Sequence, residues 1–200
     1  ALAAAVELLD ARRTDLPERT QQALDVVVTQ VRRFDQMVMD LLELSRIDAG
    51  STELHREEVQ IEDLVSRIAH RYGFSDVPIE VSPKVTGTVR VDKLRFERVL
   101  ANLLDNSRQH GGGPTRVLVE QRGRRGIALT VEDAGPGVAR GERARIFERF
   151  ARGSASRHRI GTGLGLALVA EHAQAHGGEA WVEDRPGGGA RFIVTFGEVA

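Results

Sequence analysis

The 200-residue chain has no cysteine, one tryptophan, one tyrosine and only two lysines, Lys84 and Lys93. Without cysteine there is no disulfide framework, no thiolate metal site and no cysteine nucleophile; the composition fits a reducing compartment, and the cytoplasm is the expected location. Because nearly all basic residues are arginines, a phosphate contact has to come from a planar guanidinium or a backbone amide. No run of about 18 apolar residues occurs, and no basic stretch leads into an apolar one at the N-terminus. No membrane contact or secretion signal is therefore expected of this chain, and a membrane span of a parent protein would lie outside it. The formal net charge of -1 supplies no global field for nucleic acid, which is not an expected partner. Any charge-driven chemistry is local.

What is present is enough apolar residue, 41%, for at least one core. Leu24, Val27, Val31, Phe34, Val38 and Leu41 recur at spacings of three and four, a heptad stripe that predicts a long bundle-forming helix. Residues 2–13 read as a shorter helix, with Pro17 suited to opening the long one. The two make an antiparallel helical hairpin whose single apolar seam needs another layer, most economically a second copy in a homodimer. Gly50 and Ser51 fit the end of the long helix, which places a domain boundary between 1–50 and 51–200.

Beyond the boundary the periodicity changes. Strands are expected at 53–60, 79–81, 88–91, 116–121, 127–133, 179–184 and 190–196. Helices are expected at 61–72, from a cap at Asp92 to His110, and at 163–176, with a Gly- and Arg-rich loop over 134–162. Hairpin-paired strands interspersed with helices indicate an α+β fold, a mixed sheet packed on helices, not a doubly wound parallel sheet.

Three groups carry chemistry. Asn102 and Asn106, four apart on one helix, share a stripe, and a neutral amide oxygen suits a Mg²⁺ that already carries nucleotide phosphates, Asn106 being the better ligand. Asp133 continues the core-facing row of Ile127, Leu129 and Val131, so its carboxylate needs a donor such as an adenine amino group. Gly135 and Gly137 then let the backbone pass close to a flat base. The run Gly161, Thr162, Gly163, Leu164, Gly165 and Leu166 precedes a helix, whose unpaired N–H groups and positive dipole end form an anion site. It is not the dinucleotide fingerprint, because the spacing is GxGxG, a loop precedes it and no βαβ unit surrounds it.

Between the glycine clusters, residues 138–160 hold seven arginines against two glutamates, a loop able to clamp a triphosphate, with Arg149 and Arg152 favoured. A solvated basic loop with a short helix anchored by Phe147 and Phe150 is the plainer reading of the same residues. His172 and His176, four apart, could ligate a metal, but His176 just before Gly177 and Gly178 better fits a dipole-favoured helix end.

Read in order, Asn102-Leu-Leu-Asp-Asn106, Asp133-Ala-Gly-Pro-Gly137, Phe147-Glu-Arg-Phe150 and Gly161-Thr-Gly-Leu-Gly-Leu166 resemble the N, G1, F and G2 boxes of sensor histidine kinases. Leu41-Leu-Glu-Leu-Ser-Arg-Ile-Asp-Ala-Gly50 resembles the end of that family's second dimerisation helix, so the resemblance covers nearly the whole chain. It implies the Bergerat-type ATP-binding α/β sandwich and a protein-histidine kinase using ATP and Mg²⁺. Asn106 would hold the metal and Asp133 the adenine amino group. Gly161 to Leu166 would take the phosphates, and 134–162 would be a mobile lid. The implied partners are a second copy of the chain, through the hairpin, and the receiver domain of a response regulator. The implied setting is the cytoplasmic part of a membrane-bound sensor.

Several positions depart from the family pattern. Members carry a His-Glu-x-Arg-x-Pro segment just before the stretch that residues 1–9 resemble, and none of His55, His70, His110, His158, His172 or His176 has that context. The hairpin is thus expected to be partial, without its phosphoacceptor histidine, and this chain alone is not expected to phosphorylate itself. Gln109 stands where many members have a lysine or arginine, with Arg108 or a loop arginine as substitute. Ala134 replaces a common asparagine, and His110 a common aromatic; both changes bear on nucleotide affinity. Two other functions are compatible with parts of the pattern: an ATPase of the same fold that drives dimer closure, against which the heptad hairpin argues, and a degenerate kinase acting as a dimeric scaffold, against which the glycine boxes argue.

Overall fold

The computed structural model describes residues 9, 11–12, 14, 16–49, 53–85, 87–123, 126–151 and 162–197. Most of the expected first helix, the Gly50–Ser51 cap, Arg152 and Gly161 lie outside the described residues. The chain divides into two compact units, Ala1–Arg46 and Ile47–Ala200. No helix among the described residues is long and apolar enough to cross a membrane.

The first unit is built on helix α1 (Glu18–Asp48), whose last two residues fall in the second unit. Pro17 precedes its first turn, where a missing N–H costs no hydrogen bond. The carbonyl of Pro17 instead accepts from Thr20 and Gln21. The heptad stripe divides into two halves. Leu24, Val28 and Val31 are buried and pack with Leu16, whereas Val27, Phe34 and Leu41 are 47%, 53% and 40% exposed. One chain thus covers one side of the seam and leaves the other open.

The second unit is an α+β sandwich. Strands β1 (Glu57–Val59) and β3 (Val89–Val91) form a small antiparallel pair. The main sheet contains β2 (Ile79–Val81), β4 (Pro114–Arg122), β5 (Gly126–Asp133), β6 (Ala180–Asp184) and β7 (Ala190–Phe196), in the order β2-β4-β5-β7-β6. The β2–β4 pair is parallel and the rest are antiparallel. Helices α2 (Ile61–Arg71), α3 (Lys93–His110) and α4 (Gly165–Ala175) share one core with the sheet. Phe96, Val99, Leu100 and Leu103 of α3 are fully buried in that core, together with Val117, Leu129 and Val131 of the sheet. Each such large apolar side chain contributes about 1.5–3 kcal/mol.

The cap expected at Asp92 is present: its carboxylate accepts from the backbone N–H of Leu94 and Arg95 at 3.1 and 3.2 Å. Two elements, β1 and α4, fall furthest short of their sequence patterns. β1 keeps only the three residues that have partners in β3. Helix α4 begins at Gly165 and not at Gly163, because Gly163 has φ +73°, which a right-handed helix does not accommodate.

Candidate functional site

Asp133 ends β5 on the helix-facing side and is 3% exposed. Its Oδ1 accepts from the backbone N–H of Gly135 at 2.9 Å and of Ala190 at 3.2 Å. Three glycines press on it. A Cβ at Gly111 would lie 2.7 Å from that Oδ1, and one at Gly135 would lie 2.5 Å from the Cα of Gly111 and 3.0 Å from the His110 carbonyl oxygen. One at Gly189 would lie 2.8 Å from the Asp133 carbonyl carbon. Gly137 has φ +73°, and a Cβ there would lie 3.2 Å from the Gly189 carbonyl oxygen. The expected pair Gly135 and Gly137 therefore belongs to a glycine-walled slot around one deep carboxylate. Gly111, Gly189 and Ala190 complete it and were not singled out by the sequence reading. Their only sequence signals are the triplets 111–113 and 187–189, which look like ordinary turns.

In the middle of α3, Asn102 meets the start of α4. A Cβ at Gly165 would be 3.1 Å from Asn102 Oδ1, and Asn102 Nδ2 is buried with no hydrogen-bond partner among the described residues. Such an orphaned donor costs free energy until something accepts from it. Thr162 Oγ1 accepts from the Leu164 N–H at 3.3 Å, Leu164 is fully buried and Leu166 packs on the core. Asn106 lies one turn from Asn102 and one turn from His110, so α3 is the wall common to both ends. The nine residue steps from Asn102 to Gly111 span about 13 Å.

The segment between the glycine clusters contains two short 3₁₀ turns, Arg140–Glu142 and Arg145–Phe147. Val138, Ile146 and Phe147 tie it to the core. Phe150 does not anchor it: this residue is 56% exposed with φ +61°, and its backbone N–H donates to the Gly163 carbonyl at 2.9 Å. Arg149 is paired with carboxylates, contacting Asp48 at 2.6 and 2.8 Å and Glu171 at 3.2 Å. That pairing raises the Arg149 pKa and lowers that of Asp48. Gln109 and Arg108 both donate to Asp105, and Arg108 also stacks over Phe74 at 5.5 Å. A phosphate contact by any of these three side chains requires exchange of its present partner.

The His172–His176 pair is not arranged as metal ligands. His176 Nδ1 lies 2.8 Å from the His172 carbonyl oxygen, and Nε2 accepts from the Asp92 N–H at 3.2 Å. With Nδ1 donating and Nε2 accepting, the ring is the neutral tautomer. Burial is the main cause of its lowered pKa, so the expected dipole-favoured cation is absent. Among the described residues no group of three or more His, Cys, Asp or Glu could hold a metal. A cation here would rely on an amide such as Asn106 and on oxygens brought by its ligand, which suits Mg²⁺ and not a fully protein-caged ion.

The arrangement thus offers a buried carboxylate walled by glycines and, further back along α3, an amide beside a helix start whose first N–H groups have no acceptor within the helix. This is complementary to a heteroaromatic amine joined to a polyanion.

In sequence, residues 91–199 match the family described as histidine kinase-, DNA gyrase B-, and HSP90-like ATPases. Residues 1–50 match the His Kinase A (phospho-acceptor) domain. The chain thus includes a region similar to the phospho-acceptor domain, and the first histidine of its sequence, His55, falls after that match. The chain is 36% identical over 175 residues to the signal transduction histidine-protein kinase AfsQ2 of Streptomyces coelicolor, covering 87% of this chain and 32% of that protein. It is 34% identical over 183 residues to the sensor-type histidine kinase PrrB of Mycobacterium tuberculosis, covering 90% and 41%. It therefore spans about a third to two fifths of these relatives. Among solved structures, the ATP binding domain of PrrB from Mycobacterium tuberculosis superposes with a TM-score of 0.54 at 32% identity, covering 72% of this chain and 98% of that one. Full-length ShkA in complex with AMPPNP gives a TM-score of 0.72 at 28% identity, covering 98% and 42%.

Proposed function

The chain belongs to the sensor histidine kinase family, and from that premise we propose that it is the ATP-binding kinase core of such a protein. In this reading 1–50 is phospho-acceptor hairpin and 51–200 the catalytic domain. ATP lies along α3. The adenine amino group donates to Asp133, whose Oδ1 is already oriented by Gly135 and Ala190. The triphosphate meets the N–H groups at the start of α4, beside Asn102. Asn106 holds Mg²⁺, which supplies charge neutralisation on the phosphate oxygens. Arg149 and Arg152, in the loop between the two glycine clusters, are the candidates for the remaining charge.

The reaction is in-line transfer of the γ-phosphoryl group. A neutral imidazole nitrogen of a histidine in the phospho-acceptor domain bonds to phosphorus as the bond to the β,γ-bridging oxygen breaks, and ADP leaves. A receiver-domain aspartate of a response regulator then takes the phosphoryl group. The chain's own contribution is positioning and electrostatics. The open half of the α1 seam supports assembly as a homodimer, and the parent is proposed to hold this region in the cytoplasm.

The observation that carries the reading is the buried Asp133 carboxylate in its glycine slot. Titration calorimetry with Mg-ATP on the wild type and on Asp133→Asn, each checked for folding by circular dichroism, tests it. The expected result is a loss of affinity of about a hundredfold in a folded variant. Equal affinities would remove Asp133 from the site.

A further inference from the structure

On the face of the sheet opposite the helices, Glu132 is 2% exposed and surrounded by three arginines. Cross-strand pairing places Arg116 and Arg191 directly beside it. Arg116 approaches Glu132 Oε2 at 3.1 and 3.2 Å, Arg185 approaches the same oxygen at 3.5 Å, and Arg191 Nε lies 2.9 Å from Oε1. Among the described residues, Arg116 alone of the three has a second carboxylate, Glu80, at 3.4 Å. One cation would balance the charge of this carboxylate; it gathers three.

What the arginines hold decides its meaning. Arg185 opens the β6–β7 turn, where residues 187, 188 and 189 are consecutive glycines with φ of +88°, +100° and +102°. Three such residues lose more backbone entropy on ordering than any other triplet, so the turn needs an external restraint. Arg185 supplies it: its guanidinium donates to the Gly188 carbonyl at 3.3 Å, and its backbone pairs with Gly189 and Gly188 at 3.1 and 3.0 Å. The same turn delivers the Ala190 N–H to Asp133 Oδ1 and presses Gly189 on the Asp133 backbone. Glu132 and Asp133 are adjacent and point to opposite faces of β5, yet they are joined through this one turn.

We propose that Glu132 is a positioning residue for recognition of the adenine base. From the far side of the sheet it anchors Arg185, and through the glycine turn it fixes the Ala190 N–H that orients the Asp133 carboxylate. The proposal rests on Asp133 as the adenine acceptor. Glu132 touches no part of the nucleotide, so its removal acts on discrimination of the base and not on the phosphate end.

The test compares ATP with ITP, in which a carbonyl replaces the adenine amino group, by calorimetry on the full chain with Mg²⁺. Variants are Glu132→Gln, which keeps shape and removes charge, and Arg185→Met, which keeps the apolar stem and cuts the link to the turn. Both are checked for native circular dichroism. Wild type is expected to prefer ATP. Both variants are expected to lose about tenfold in ATP affinity with ITP affinity unchanged, so that the ratio collapses. A merely structural role would weaken both nucleotides together and leave the ratio intact, and that outcome in folded variants overturns the proposal. If Glu132→Gln does not fold, Arg185→Met decides on the same ratio. Equal binding of ATP and ITP by the wild type itself would overturn the Asp133 reading, and this proposal with it.

Discussion

Gly111 lies flush against Asp133, so that a single methyl group at position 111 would overlap the carboxyl group at the end of β5. The backbone at Gly111 has φ -104° and ψ 2°, which L-residues adopt, so the restriction there is steric and not conformational. The next residue is the reverse case. Gly112 has φ +75° and nothing within 4 Å of its missing Cβ. Gly111→Ala is therefore expected to destabilise the fold by about 1–3 kcal/mol and to abolish nucleotide binding by displacing the carboxylate. Gly112→Ala is expected to cost about 1–2 kcal/mol through left-handed backbone strain alone and to bind ATP normally once folded. Urea denaturation and ATP titration on the pair separate the two effects; parallel losses of binding would contradict the assignment.

A second relationship makes stability pH-dependent. His176 is buried, edge-on to Phe196 at 5.1 Å, and accepts the Asp92 N–H at the start of α3 through Nε2. Protonation of Nε2 removes that acceptor and leaves a charge in the core. The groups facing it are Arg56, Asp92, Arg95 and His172; burial is the largest influence on its pKa and lowers it, the His172 carbonyl raises it, Arg56 and Arg95 lower it and Asp92 raises it. A folded pKa below the ordinary value of 6.5 means that the unfolded chain binds the proton more readily. The contribution to stability is then fully present above pH 6.5 and is lost as pH falls through the folded value. Urea midpoints of the wild type should fall on acidification below pH 6.5. His176→Gln should be less stable at pH 8 and show a flatter profile over that window. An unchanged slope in the variant would assign the pH dependence elsewhere.

How much of this was legible in the sequence depends on the range of the interaction. The row Ile127, Leu129, Val131 and Asp133 has a period of two and so showed on its own which face the carboxylate takes; Asp92 showed its cap by position alone. Gly111, Gly189 and Ala190 were invisible for the opposite reason. Their importance comes from contacts between residues far apart in sequence, and a glycine that avoids a carboxylate looks like a glycine that makes a turn. Charge was the least legible property. Arg149 reads as a free cation near phosphate-binding glycines, yet its guanidinium lies between Asp48 and Glu171, which are 101 and 22 residues away. His176 reads as a cation at a helix end, and burial makes it neutral.

The open half of the α1 seam yields the last prediction. Val27, Phe34 and Leu41 recur every seventh residue and are all at least 40% exposed, while Leu24 and Val31, the alternating members of the same heptads, are buried. Leaving such a row in water forfeits the burial that its spacing is suited to provide, on the order of 1.5–3 kcal/mol for each side chain when fully covered. A second α1 helix can cover it by knobs-into-holes packing. Size-exclusion chromatography with light scattering should therefore show a dimer whose population grows with concentration. Phe34→Glu, at the centre of the row, introduces two like charges at the interface and should give a monomer with unchanged helix content and unchanged ATP affinity, because the proposed nucleotide site, around Asp133, Gly111 and Gly189, belongs to the second unit. Glu18→Gln, at the helix start and outside the row, should leave the dimer intact. A wild-type chain that stays monomeric at the highest attainable concentration would mean that the row is covered by something other than a second copy of α1.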